Sequence, residues 1–260
     1  MSTAFSCTQC GQCCHNLHIP LTINEAKDWL KKGNKLKILI EAVPWVNEVE
    51  TTNSVLLRRS SMTFEGTSGA LSIRVLVTLV GFFTGGCPNL DINQNCSIYE
   101  SRPLTCRIYP FEMNPKITLN PANKLCPPEA WIHSKSEVEN KDVESVYMID
   151  SVTKSNIERI YTTSVLEVRN KERICNALDL QTCALSNDGY LFHLVDQFKV
   201  LNVINEITQS ADNVAVENKK FTDWHIYTKN PRALNDISSI GGRGSFPALS
   251  KTGEEEFISL

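Results

Sequence analysis

No stretch of this sequence is apolar for long enough to cross a bilayer. The longest, Val75 to Phe83, falls far short of the roughly 20 residues a spanning helix needs, and it reads as a buried strand. Basic residues are not in excess. Lys and Arg number 26 against 29 Asp and Glu, for a formal net charge of -3. That argues against nucleic acid as the main partner, because phosphate recognition needs a basic surface. No Gly-x-Gly-x-x-Gly follows a strand pattern and no P-loop occurs, which disfavours a Rossmann-type nucleotide domain. The carboxylates are scattered, with no clear acid–base pair, and Glu100 and Glu112 read as solvated. The opening residues Met-Ser-Thr-Ala-Phe-Ser-Cys lack the basic start and apolar core of a secretory signal. The expectation is a cytoplasmic protein with no membrane partner.

Cysteine, by contrast, is abundant, with ten residues in 260. Such a count means either a secreted, cross-linked chain or an intracellular metal binder, and the missing signal favours the second. Eight of the ten lie in residues 1–126. The strongest signal is Cys7-x-x-Cys10-x-x-Cys13-Cys14. A two-residue gap lets a tight turn aim two sulfurs at one centre, as in zinc ribbons and ferredoxin loops. Cys126-Pro127 has the form of the remote ligand of a ferredoxin run. Gly11 relieves crowding where the backbone turns. Adjacent side chains such as Cys13 and Cys14 point in different directions, which suggests two nearby centres or one centre with a spare thiolate. Eight cysteines supply two sets of four: Cys7, Cys10, Cys13 and Cys126 for an iron–sulfur cluster (4Fe-4S by analogy with ferredoxins), and Cys14, Cys87, Cys96 and Cys106 for a second metal such as zinc. His15 is a reserve ligand, and His18 reads as structural or solvent-facing. Cys175 and Cys183 have no paired spacing and read as core.

The flanks of the later cysteines carry their own chemistry. Arg102 and Arg107 bracket Cys106 and would offset thiolate charge and donate hydrogen bonds. Tyr99 and Tyr109 could donate O–H to sulfur or carbonyl groups, or pack. These four are the expected residues around the bound cofactor.

A coarse reading gives an α+β chain. A small metal-organised domain with short helices and a few antiparallel strands covers residues 1–133, and a mainly helical region with a partly loose tail covers 134–260, the soft boundary lying near Ser134. Thr22-Ile-Asn-Glu25 is a capping box that predicts a helix from Ile23 to Lys32 with Gly33 at its end. Leu36, Leu39, Ile40 and Val43 predict a second helix ending before Pro44. Val55 to Arg59 reads as a strand, Gly66 to Gly69 as a turn, and Leu71 to Leu79 as a strand covered on both sides toward its end. Gly85-Gly86 turns the chain into Cys87. Arg102 to Tyr109 predicts a short helix, Val143 to Leu180 helical structure, and Tyr190 to Ile207 another helix. The tail after Thr222 reads as loose, at least in part.

Cys7-x-x-Cys-x-x-Cys-Cys14, Cys87-Pro-Asn-Leu90, Cys96-Ser-Ile-Tyr-Glu-Ser-Arg-Pro103 and Cys106-Arg-Ile-Tyr-Pro-Phe111 together resemble the YkgJ-type cysteine-cluster family, whose domain is described as zinc- or iron-chelating. The resemblance spans residues 7 to 126 and implies a cytoplasmic metalloprotein with eight cluster cysteines. The family also includes proteins similar to flagellin lysine N-methylase. The resemblance thus implies, as an alternative, an S-adenosylmethionine-dependent protein lysine methyltransferase carrying the metal site. A redox partner or a protein substrate would go with these two readings respectively.

Overall fold

Thr22 and Glu25 close the capping box that the sequence predicts. In the computed structural model, the Thr22 hydroxyl accepts from the Glu25 N–H at 3.2 Å, and the Glu25 carboxylate accepts from the Thr22 N–H at 2.9 Å. The helix they start buries Ile23, Ala26, Trp29 and Leu30, and Gly33, with φ of 78°, follows its end. The structure describes residues 3–44, 54–113, 119–133, 150–209, 223–247 and 254–260.

In chain order the elements are β1 (Thr3–Phe5), β2 (His18–Leu21), α1 (Ile23–Lys31), β3 (Lys35–Pro44), α2 (Ser54–Ser60), β4 (Phe64–Ser68), β5 (Leu71–Phe82), α3 (Leu104–Ile108), β6 (Trp131–His133), α4 (Ser151–Leu166), α5 (Val168–Leu178), β7 (Thr182–Leu185), β8 (Gly189–Leu194), α6 (Gln197–Gln209), β9 (His225–Tyr227), α7 (Pro231–Ser239), β10 (Gly244–Ser245) and β11 (Glu255–Ser259). Mixed α and β structure is therefore present, as expected. Two units interleave along the chain: Met1–Ile19 with Phe83–Thr162, and Pro20–Phe82 with Thr163–Leu260. The boundary expected near Ser134 lies outside the described residues, as do positions 143–149 of the expected helical stretch.

The second unit is built on a nine-stranded sheet in the order β10-β9-β7-β3-β5-β2, with β4 on β5, β8 on β3 and β11 on β8. Its spine is the antiparallel pair β3–β5, in register from Lys35 opposite Phe82 to Val43 opposite Arg74. Here the expected helix over Leu36–Val43 is corrected to a strand. Leu36, Ile38, Ile40 and Ala42 alternate and are fully buried, which is the period-two face of a strand. Leu39 and Val43 lie on the opposite face, which is also partly covered, and their addition imitates helical spacing. That face also buries Lys37 and Glu41, and both are paired: Lys37 Nζ with Glu256 at 2.5 Å and Glu41 with Arg59 at 3.0 Å. Arg59 belongs to α2, so Val55–Arg59 is helix rather than strand. The hydroxyls of Ser60 and Ser61 accept no part in a ladder and instead donate to the carbonyls of Leu57 and Arg58.

Three further corrections concern this unit. Gly66 lies inside β4, and the turn falls at Gly69-Ala70, between β4 and β5. Tyr190–Ile207 is not one helix. Tyr190 to Leu194 belongs to β8, which pairs with β3 on one side and β11 on the other, and Asp196 starts α6 by accepting from the Lys199 N–H at 2.7 Å. The tail after Thr222 is not loose where it is described. Asn230 caps α7 through the N–H groups of Arg232 and Ala233, and β11 completes an edge of the sheet. Among the described residues, 134–260 thus hold four helices and five strands.

The first unit has less regular structure. Its two-stranded sheet pairs β1 with β6. Around it Phe5 packs on Phe111 and Trp131, with ring centroids 6.4 and 5.2 Å away, and Leu119, Ala130 and part-buried Cys126 join the same apolar cluster. A second seam joins Leu104 and Ile108 of α3 to Ile157 and Ile160 of α4. No helix among the described residues is long and apolar enough to cross a membrane.

Candidate metal centre

Five short segments of the first unit carry the eight cysteines, and backbone hydrogen bonds tie several of them together. The Cys14 N–H donates to the Gly11 carbonyl at 2.8 Å, folding Gly11–Cys14 into a turn. Gly11 has φ of 69°, and a Cβ there would meet the Gln94 carbonyl oxygen at 2.5 Å. Only glycine fits both demands. The Cys87 N–H donates to the Cys14 carbonyl at 2.8 Å, and the Asn16 N–H to the Gly85 carbonyl at 2.9 Å. Those bonds bring the Gly85-Gly86 turn and Cys87 against the N-terminal run. Leu90 and Cys96 form an antiparallel bridge, and the Asp91 carboxylate accepts from the N–H groups of Asn93 and Asn95, so the loop from Cys87 to Cys96 is closed on itself. Cys106 rides on α3, which Leu104 and Ile108 anchor. Cys126 is held from three sides. The Tyr109 hydroxyl accepts from the Leu125 N–H at 3.1 Å, Trp131 Nε1 donates to the Cys126 carbonyl at 3.4 Å, and the Ser6 N–H donates to the Ala130 carbonyl at 2.9 Å.

The sulfurs influence one another's charge. Cys13 and Cys14 lie with sulfurs 4.0 Å apart. A hydrogen bond from the Cys14 thiol lowers Cys13 to about 7, and the same shared proton, with burial, raises Cys14. Burial raises Cys87, and it pushes Cys106 up to about 12 and Cys126 up to about 11. Smaller contributions come from neighbouring thiolates. Cys106 feels Cys87, Cys13 and Cys96, and Cys14 feels Cys13, Cys87 and Cys106. Cys126 instead feels Cys13, Cys7 and Cys10. Withdrawal from water and repulsion from neighbouring thiolates hold protons on Cys14, Cys87, Cys106 and Cys126, and a soft cation would relieve both costs at once. The donor set thus fits a thiolate-bound metal. Among the described residues no three His, Cys, Asp or Glu side chains are already arranged to hold a metal ion. All ten cysteines are free thiols.

The residues expected around the cofactor take distinct positions. Burial first, and then the neighbouring Cys7 sulfur, raise the Tyr99 hydroxyl above its ordinary value. The Arg102 guanidinium stacks 3.6 Å from the Tyr99 ring centroid, its Nε donates to the Tyr99 carbonyl, and its charge lowers Cys13 and Cys106. Arg107 is turned to the backbone, donating to the carbonyls of Arg102 at 2.7 Å and Glu100 at 2.9 Å. The Tyr109 hydroxyl accepts from the Leu125 N–H. His15 is exposed, with Nδ1 3.2 Å from the Gly11 carbonyl. Glu112 pairs with Lys124 at 2.5 Å, and Lys124 also favours the Cys126 thiolate. Asn89, whose amide donates to the Cys87 sulfur at 3.9 Å, was not singled out. Its place in Cys87-Pro-Asn89 was the available signal. Cys175 and Cys183 are fully buried in the second unit, in keeping with core roles.

Residues 6–131 match the CxxCxxCC family model, described as a "putative zinc- or iron-chelating domain". This cysteine segment belongs to that family. The CxxCxxCC match covers the whole described set of eight cysteines and stops at Trp131, within the first unit. Comparison with curated proteins gave no match, and neither did comparison with solved structures.

Proposed function

We propose that the CxxCxxCC segment holds two thiolate-bound metal centres, one through Cys7, Cys10, Cys13 and Cys126 and the other through Cys14, Cys87, Cys96 and Cys106. The observation that carries this reading is the convergence of separate cysteine segments: the Cys87 N–H donates to the Cys14 carbonyl at 2.8 Å and Leu90 bridges Cys96, while Cys13, its sulfur 4.0 Å from that of Cys14, adjoins both sets. The first set has the ferredoxin-like spacing and suits an iron–sulfur cluster. The second suits zinc or a further cluster. When bound, the metal supplies the positive charge that lets buried sulfurs stay deprotonated, and iron–sulfur would add one-electron chemistry. The chain's own residues do the rest. Asn89 donates to the Cys87 sulfur, Arg102, stacked on Tyr99, offsets thiolate charge, and Tyr109 pins the loop that carries Cys126.

The test is elemental analysis alongside a visible spectrum after anaerobic purification. A brown protein absorbing near about 400 nm with bound iron and sulfide supports iron–sulfur. A colourless protein with stoichiometric zinc supports zinc alone. A metal-free protein, or metal content unchanged when Cys7, Cys10, Cys13 and Cys14 are all serine, overturns the reading.

A further inference from the structure

Beside the cysteines, and within the same unit, the surface opens into a pocket of about 460 Å³ lined by Tyr99, Glu100, Arg102, Arg107, Ser151, Val152, Ser155, Asn156 and Arg159. Its volume lies in the range of small-molecule sites, about 300–1,000 Å³. Its walls are fixed. One is the loop into α3, knitted by the Arg102 and Arg107 bonds to backbone carbonyls. The other is the first turns of α4, clamped to α3 by the apolar seam of Leu104, Ile108, Ile157 and Ile160.

The charge on these walls is uneven. Three guanidinium groups face a single carboxylate, Glu100. Among the described residues none of the three arginines is paired with a carboxylate. Arg102 and Arg107 use their Nε atoms on carbonyls, and Arg107 also commits one terminal nitrogen. Among the described residues the Arg159 fork has no hydrogen-bonded acceptor, and Arg107 keeps its second terminal nitrogen uncommitted. Guanidinium forks match planar oxyanions in geometry and charge. Ser151, Ser155 and Asn156 add hydroxyl and amide donors on the facing helix. The α4 N-terminus itself is already capped, since the Asp150 carboxylate accepts from the Thr153 N–H at 2.8 Å, so the case rests on the side chains.

We propose that this pocket binds a small multivalent oxyanion, a phosphate ester or a dicarboxylate, with Arg107 and Arg159 as its principal contacts. Arg102 is the wall shared with the cysteines, so the bound anion sits next to them. The proposal does not depend on which metal the cysteines take.

Isothermal titration at low ionic strength, with inorganic phosphate, glycerol phosphate and succinate as separate probes, tests it. These probes chelate metals weakly, and metal content is measured before and after titration. At least one probe binds saturably, Arg159→Gln weakens it about tenfold, the equivalent of one lost charge-assisted bond, and Arg159→Glu abolishes it with metal content unchanged. Preference for the phosphate probes or for succinate separates the two sources. No saturable binding by any probe, or binding that Arg159→Gln leaves unchanged, overturns the proposal. Loss of binding accompanied by loss of metal in Arg159→Gln also overturns it, since Arg159 would then act through the metal site. Proposed metal binding fails separately, through a metal-free protein.

Discussion

Glu167 accepts a hydrogen bond from the backbone N–H of Ile23, at 2.8 Å and 144 residues away in sequence. Both residues are buried, and the same carboxylate faces Lys171 at 3.5 Å. Burial raises Glu167 and lowers Lys171, while each partner opposes that shift in the other. The start of α1 is thus satisfied from two directions, locally by Thr22 and Glu25 and remotely by Glu167. Glu167→Ala removes an acceptor and strands a buried ammonium, so the expected loss is about 3 kcal/mol or more. The Glu167→Leu, Lys171→Met double variant recovers about half of that, because only the Ile23 N–H then lacks a partner. Urea unfolding midpoints of the two variants check this, and equal losses would refute it.

His193 gives a pH dependence. It is buried in β8, with Nε2 3.0 Å from the Thr182 carbonyl and Nδ1 3.6 Å from Glu255. Burial lowers it below its ordinary value of 6.5, more than the Thr182 and Glu255 interactions raise it. The folded protein therefore holds His193 neutral, while the unfolded chain takes up a proton as pH falls through 6.5. The contribution is fully present above that value and is lost as pH drops below it. Measured against His193→Gln, the unfolding midpoint of the native protein should fall between about pH 7.5 and pH 5. A gap between the two proteins that stays constant with pH would show that His193 does not titrate this way.

Gly11 is expected to be intolerant of a side chain. An alanine there meets the Gln94 carbonyl oxygen and must hold φ near 69°. The cost is about 1–3 kcal/mol of backbone strain plus the displacement of the Cys87–Cys96 loop. Gly11→Ala should thus lower both metal content and thermal stability. Gly85→Ala meets nothing within 4 Å and shares the positive φ, so it isolates strain from collision and should keep more metal.

Tyr109→Phe tests the loop that carries Cys126. The lost bond to the Leu125 N–H is partly replaced by water at this exposed position, so stability should fall by only about 1 kcal/mol. Metal release to a chelator should nevertheless accelerate, because Cys126 loses one of its three tethers. Unchanged release kinetics would remove Tyr109 from the positioning of Cys126.

The elements legible from sequence were those whose signals are local. Thr22-Ile-Asn-Glu25 is a self-contained capping motif, and the Leu71–Leu79 alternation needs no partner to be read. β3 imitates a helix in the sequence because Leu39 and Val43 make its second face apolar, and that face is explained only by Glu256, Arg59 and the neighbouring strands, all distant in sequence. The start of α6 is masked in the sequence because its N-cap, Asp196, follows directly on the apolar residues of β8. At the candidate site the cysteine spacing was plain, whereas the turn of Arg107 to backbone carbonyls and the pocket beside α4 depend on Arg159, which no spacing links to Cys106.

The interleaving of the two units bears on how fragments of this chain should behave. A polypeptide ending at residue 133 would retain every cysteine of the CxxCxxCC match, yet β3 would have β5 on one side and nothing on the other, since β7 and β8 arise after residue 180. A bare ten-residue strand edge recruits other chains. Truncation guided by the family match alone therefore invites aggregation, and chelation measured on such material would report an associated species instead of the native fold.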